Sequence, residues 1–277
     1  MAKQSIRLSD HFTYGKLLRF TLPSICMMVF TSIYGVVDGL FVSNFVGKTP
    51  FAAVNLVMPF VMILGGMGFM IGTGGTALVS KLLGEGKQDE AHRTFSMLVL
   101  FTLLLGAVLS AVGILTMPAV SRLLGASDAM MADCILYGRI VTGFTFAFML
   151  QNVFQSFFIA AEKPRLGLFV TVAAGVTNMV LDALFIAVFN WGVAGAAIAT
   201  VLADVVGAGM LFHYLRRETG PVRVELSQLK LDRKLAGAIL YTGIPAAVQG
   251  MMFNIANVII QTGFNRLGSQ VVAGSTI

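Results

Sequence analysis

The sequence predicts an all-α, polytopic membrane protein, and composition and the spacing of its basic residues carry that prediction. Of 277 residues, 57% are hydrophobic and 12% are charged, against about 25% charged in an average soluble domain. Mean hydropathy is +0.85. The intervals Arg19 to Lys48, Lys48 to Lys81 and Arg93 to Arg122 contain no basic residue. Each is long enough for a helix of about 20 residues to cross roughly 30 Å of hydrocarbon.

Taken in order, the spans are expected at 17–46, 51–80, 94–118, 132–161, 166–189, 192–214 and 235–264. The first three follow from the intervals just given, and the fourth fills Arg139 to Lys163. The interval from Arg165 to Arg216 is too long for one helix, and the turn signal Asn190-Trp191-Gly192 divides it into a fifth and a sixth. Trp191 there reads as an interfacial belt residue. The first span follows a basic N-terminus but is too long for a signal-peptide core and lacks a small-residue cleavage site.

Segment 215–233, with Arg216, Arg217, Glu218, Arg223, Glu225 and Lys230, reads as a charged cytoplasmic linker. It separates a six-helix N-lobe (1–214) from the start of a second lobe (234–277), whose first helix is span 7. A faint repeat supports the division. Pro23 in "TLPS" precedes Gly47 much as Pro245 in "GIPA" precedes Gly268. The expectation is a truncated chain, with further helices of the second lobe following residue 277 in the whole protein. Small residues at i, i+4 spacing, such as Gly68 and Gly72, Gly167, Thr171 and Gly175, or Gly195, Ala199, Ala203 and Gly207, suit close helix packing in lipid.

The net charge of +6 raises nucleic acid as a partner, but topology accounts for it. With the N-terminus inside, 15 of the 19 basic residues fall on the cytoplasmic side and only Lys48, Arg122, Arg139 and Arg266 outside. That is the positive-inside pattern of a multi-pass protein of the cell (inner) membrane, with the bilayer as partner and no nucleic acid. Enzyme signatures are absent: there is no HExxH or GxSxG, and His11, His92 and His213 lie in connecting segments or at helix ends. Cys26 and Cys134 lack metal-ligand spacing and read as apolar packing residues.

Three carboxylates, Asp38, Asp182 and Asp204, fall inside spans, where a charge costs about 2.5–3.5 kcal/mol on insertion scales. Each either faces a polar path or locks a neighbouring helix by a hydrogen bond. Counting from the outer helix ends at about 1.5 Å per residue puts Asp38, Asp182 and Thr200 about 12 Å deep. Asn178 and Asp204 lie about 18 Å deep, in a second tier. Asn178 and Asp182, at i and i+4, share a face. Asp38, Asn178, Asp182 and Thr200 together suit a hard monovalent cation such as Na⁺, or a shared proton. Tyr34, one turn before Asp38, and Tyr137 are placed to hydrogen-bond the site or simply to pack. Gln151, Asn152 and Gln155 are candidates for a polar substrate cavity. Pro23 is either a source of flexibility in helix 1 or a tolerated kink.

These residues resemble those of the multidrug and toxic compound extrusion (MATE) family. "LPSICMMVFTSIYGVVDGLFVSNFVG" is similar to the family's first helix, "SKLLGEGKQDEAHR" to its loop between helices 2 and 3, and "WGVAGAAIATVLADVV" to its sixth helix. The resemblance implies a twelve-helix fold of two six-helix lobes around a central cavity. It also implies a single full-length chain without a cofactor, exporting organic cations or other small amphipathic compounds against inward flow of Na⁺ or H⁺. In the archaeal and related bacterial branch, Asp, Asn, Asp and Thr form an N-lobe cation site matching Asp38, Asn178, Asp182 and Thr200, and a cavity tyrosine matches Tyr137. Asp204 departs from the pattern, because relatives often carry glutamine there. The alternatives are a lipid-linked oligosaccharide flippase, which would want basic residues in its cavity, and a membrane scaffold subunit that transports nothing.

Overall fold

The computed structural model describes residues 13–160, 164–217, 234–249 and 252, and every described element is helical. Helix α1 (Tyr14–Phe41) runs into a π turn, Val42–Val46, and α2 covers Lys48–Gly84. Then come α3 (Gln88–Leu123), α4 (Asp128–Gly143) and α5 (Thr145–Ala160). Helix α6 (Pro164–Asp182) ends in a second π turn, Ala183–Val188, and α7 is Gly192–Arg217. An eighth helix, α8, covers 234–249. Most of the linker expected at 215–233, the end of the expected span 7 beyond 252, and Gly268 of the repeat lie outside the described residues.

The ends of α2 and α3 are written in sequence. Gly86 (φ 75°) and Gly125 (φ 90°) take the left-handed conformation that side chains resist. After α2, the Lys87 amide donates to Leu82 O (2.9 Å) and the Gly86 amide to Leu83 O (3.1 Å). After α3, Ala126 reaches Ser121 O and Gly125 reaches Arg122 O, both at 3.0 Å, so both ends are Schellman motifs. Asp89 and Glu90 in the first turn of α3 complement its dipole. A Gly86→Ala substitution meets no neighbour among the described residues, so its cost there is backbone strain alone. It is expected to destabilise by about 1 kcal/mol in thermal unfolding of the purified protein, whereas Gly84→Ala, helical and equally open, should not.

The expected fourth span, 132–161, is instead two helices bent by 52°. Gly143 and Phe144 (φ −116°, ψ 22°) form the break. The Thr142 hydroxyl donates to Gly138 O (2.6 Å) and the Thr145 hydroxyl to Thr142 O (2.8 Å), so hydroxyls engage backbone carbonyls at the bend. Small residues let the bent pair seat closely. A Cβ on Gly113 would lie 2.8 Å from Thr142 Cβ, and one on Gly106 would lie 2.6 Å from Phe146 Cα.

Helix α2 is the hub, packing on α3, α4 and α5. Its Gly68 and Gly72 lie against the α5 backbone, where added Cβ atoms would stand 2.5 Å from Met149 Cα and 2.9 Å from Val153 Cα. Close approach of this kind supplies the packing that replaces the hydrophobic effect in lipid. Gly74 and Gly243 do the same between α2 and α8, each facing the other helix's backbone. Helix α1 packs chiefly on α6 and leaves Leu22, Ile25, Met28, Val29, Ile33 and Val36 exposed. Cys26 is exposed on that helix rather than packed, while Cys134 is buried with its thiol 3.8 Å from Ala53 O. Among the described residues five helices, or six counting the bent pair as one, are long and apolar enough to span a bilayer.

Candidate functional site

Buried apolar residues form two clusters at opposite ends of the bundle. One gathers Ile71, Phe95, Leu98, Phe154, Val170 and Leu211, and the other Val42, Val57, Met117, Tyr137, Ile186 and Ala197. Along α6 the chain passes from Val170 to Ile186 through Asn178 and Asp182. Along α7 it passes from Ala197 to Leu211 through Thr200 and Asp204. The polar residues therefore occupy the layer between two apolar plugs.

Within that layer the Asp38 and Asp182 carboxyls approach to hydrogen-bonding range. Asp182 is 0% exposed and Asn178 4%. Oδ1 of Asp38, both carboxyl oxygens of Asp182 and Nδ2 of Asn178 are buried without a hydrogen-bond partner among the described residues. Such groups are costly unless a proton or ion occupies the space between them. The Tyr137 ring is buried beside Thr200, with its hydroxyl unsatisfied. Thr200 spends its own proton on Ala196 O (3.0 Å), which leaves its oxygen free to accept or ligate.

Both carboxylate-bearing helices widen just beyond the pair. The π turns at Val42–Val46 and Ala183–Val188 pack against each other, and each is closed by an i→i+5 bond: Gly47 N to Val42 O at 3.1 Å and Phe189 N to Leu184 O at 2.9 Å. Such turns concentrate at functional sites because they displace the preceding residues from regular helical register. The sequence reading did not anticipate them. Trp191 closes the second, stacking on Phe185 with centroids 4.8 Å apart.

Next to the carboxylate pair lies a cavity of about 170 Å³. Asn178, Thr200, Asp204, Tyr34, Gln151, Asn152 and Gln155 all line it; Asp38 and Asp182 do not. The bend at Phe144 is what allows α4 to bring Tyr137 to the pair while α5 brings its amides to the cavity. Gln155 Nε2 donates to Thr171 Oγ1 (3.1 Å), Asn152 Nδ2 to Phe148 O (3.0 Å), and Gln151 Oε1 is buried without a donor. Gly207 opens the space for Gln151. Thr31, Phe148 and Thr171 also line the cavity and were not expected there. Thr31 stands seven residues before Asp38 and Thr171 seven before Asn178, so helical spacing alone could have found both. Pro23 is buried inside α1, on the basic-end side of Thr31. Among the described residues no cluster of three His, Cys, Asp or Glu could hold a metal.

A family model described as MatE matches residues 23–184. The chain is 22% identical over 257 residues to the "Multidrug export protein MepA" of Staphylococcus saprophyticus, covering 93% of this chain and 57% of that protein. It is 24% identical to the "Probable multidrug resistance protein YoeA" of Bacillus subtilis, covering 92% and 56%. The chain thus spans little more than half the length of these curated relatives. The fold is similar to the outward-facing structure of a multidrug resistance MATE family transporter of the MOP superfamily, with TM-score 0.80 and 23% identity over 91% of this chain and 58% of that one.

Proposed function

The chain belongs to the MatE family, a family of transporters and not of enzymes, and on that premise we propose that it forms the N-lobe of a cation-coupled multidrug antiporter. The observation that carries this reading is the Asp38–Asp182 pair, mutually facing and short of donors, with Asp182 wholly buried and Asp38 half-buried. Two carboxylates in a dry site hold a proton between them or bind a small cation. Asn178 and Thr200 complete an oxygen-rich set suited to H⁺ or Na⁺.

Asp204 has a separate task in this scheme. It stands on the cavity wall with Tyr34 and the α5 amides, so it offers charge to an organic cation while Asp38 and Asp182 hold the coupling ion. Uptake of the ion repacks α1 against α6, with Pro23 allowing α1 to bend, and so favours release of the substrate. The lobe division at 215–233, an N-terminus in the cytoplasm and residence in the cell membrane belong to the same proposal, supported by the 15-to-4 split of basic residues. A flippase for a pyrophosphate-linked lipid is disfavoured, because among the described residues no basic side chain lines the cavity.

Efflux of a fluorescent organic cation from vesicles holding the full-length protein tests the proposal, with Na⁺ and pH gradients imposed separately. One gradient is expected to drive export; response to neither would remove the antiporter.

A further inference from the structure

The basic end of the bundle carries a second pocket, of about 680 Å³, remote from the carboxylates. It lies where the α2–α3 connection meets the start of α8. Lys81, Lys87, Arg93 and Lys234 supply four cationic side chains, and Glu85 and Glu90 two anionic ones. Leu78, Leu82 and Leu235 form an apolar wall below them. Glu85 is shared: its carboxylate lies 2.8 Å from Lys87 Nζ and 3.9 Å from Lys81 Nζ. The Lys87 ammonium holds that carboxyl below the usual carboxylate range by hydrogen bond and charge, so Glu85 stays ionised near neutral pH and partly neutralises both lysines.

We infer that this pocket binds the phosphate headgroup of an anionic phospholipid. Lys81 lies about one turn before the end of α2, just past its apolar stretch, at the level of the headgroups. Basic side chains above an apolar wall match a phosphate above its acyl chain, and basic pockets between transmembrane helices recognise such headgroups. A soluble phosphate would use the same cations but not the leucines. Because Lys234 and Leu235 come from α8 and the rest from α2, α3 and their connection, the bound lipid braces α8 against the preceding helices.

The test compares the full-length protein in phosphatidylcholine nanodiscs with and without phosphatidylglycerol, reading thermal unfolding and, by native mass spectrometry, lipid retained. Wild type is expected to gain stability and retain phosphatidylglycerol. The double variant Lys87→Gln, Arg93→Gln should retain it roughly tenfold less, whereas Arg122→Gln at the opposite end should retain it as wild type does. Glu85→Gln should retain more, because it frees Lys81 and Lys87. Equal retention by wild type and the double variant, or weaker retention by Glu85→Gln, overturns the inference. If inorganic phosphate in phosphatidylcholine discs reproduces the whole gain, the occupant is a soluble anion and the lipid assignment falls.

Discussion

Asp182→Asn in the full-length protein is expected to abolish ion-coupled efflux while leaving a folded protein that is at least as heat-stable as wild type. The two halves of this expectation have one cause. Asp182 is wholly buried, and neither of its carboxyl oxygens has a donor. An asparagine of the same volume offers an N–H to the Asp38 carboxylate, so the pair becomes satisfied without an ion. Removing an unsatisfied buried acceptor is worth about 1–3 kcal/mol. The same change deletes one carboxylate from the proposed coupling site, and coupling energies of about 1–3 kcal/mol correspond to roughly 5–150-fold in an ion's effect on substrate affinity. A scaffold role for Asp182 predicts the opposite pairing, with stability lost and transport per folded molecule retained. Melting temperature and efflux per folded molecule, measured on the same preparation, separate the two.

Gly68→Val is expected to prevent assembly of the helix bundle. A Cβ at this position stands 2.5 Å from Met149 Cα and 2.8 Å from Met149 O, which are backbone atoms that no rotamer change can move. The branch of valine enlarges the clash, so α2 and α5 must separate along the seam that also holds Gly72. Overpacking a rigid contact costs about 1–3 kcal/mol or more. Here the displaced α5 also carries Gln151, Asn152 and Gln155, so the cavity is lost with the packing. Gly66→Ala, two residues away with open space around it, should be neutral to slightly stabilising. Monodisperse yield in detergent is the measure, with Gly66→Ala as the control.

Much of this architecture is legible in the sequence because lipid imposes simple constraints. Intervals without a basic residue, from Arg19 to Lys48, Lys48 to Lys81 and Arg93 to Arg122, mark three spans, and the structure extends them by a turn or so at most ends. Counting depth from helix ends placed Asp38, Asp182 and Thr200 together, and in the structure Asp38 meets Asp182 with Thr200 and Tyr137 close by. The same count set Asn178 and Asp204 one turn deeper, and both line the adjoining cavity. Depth gives a residue's height and not its direction. It could not show that Asp204 faces the cavity while Asp38 and Asp182 face each other.

What stayed hidden depends on backbone detail. The break at Phe144 has no proline to announce it; Gly143 and the two flanking threonines make it possible, but such residues also occur in unbroken membrane helices. The π turns after Asp38 and Asp182 are likewise silent, since neither "VSNFV" nor "ALFIAV" carries a proline or glycine to mark a change of helical register.

The proposed function requires that Asp38 and Asp182 hold the ion exchanged for substrate. Adding an organic cation to the purified full-length protein in weakly buffered solution, with pH and free Na⁺ recorded together, tests it most directly. Wild type should release H⁺ or Na⁺ as the substrate binds, and the Asp38→Asn, Asp182→Asn double variant should release neither. Release by the double variant equal to that of wild type, or binding without any release by wild type, would contradict the account.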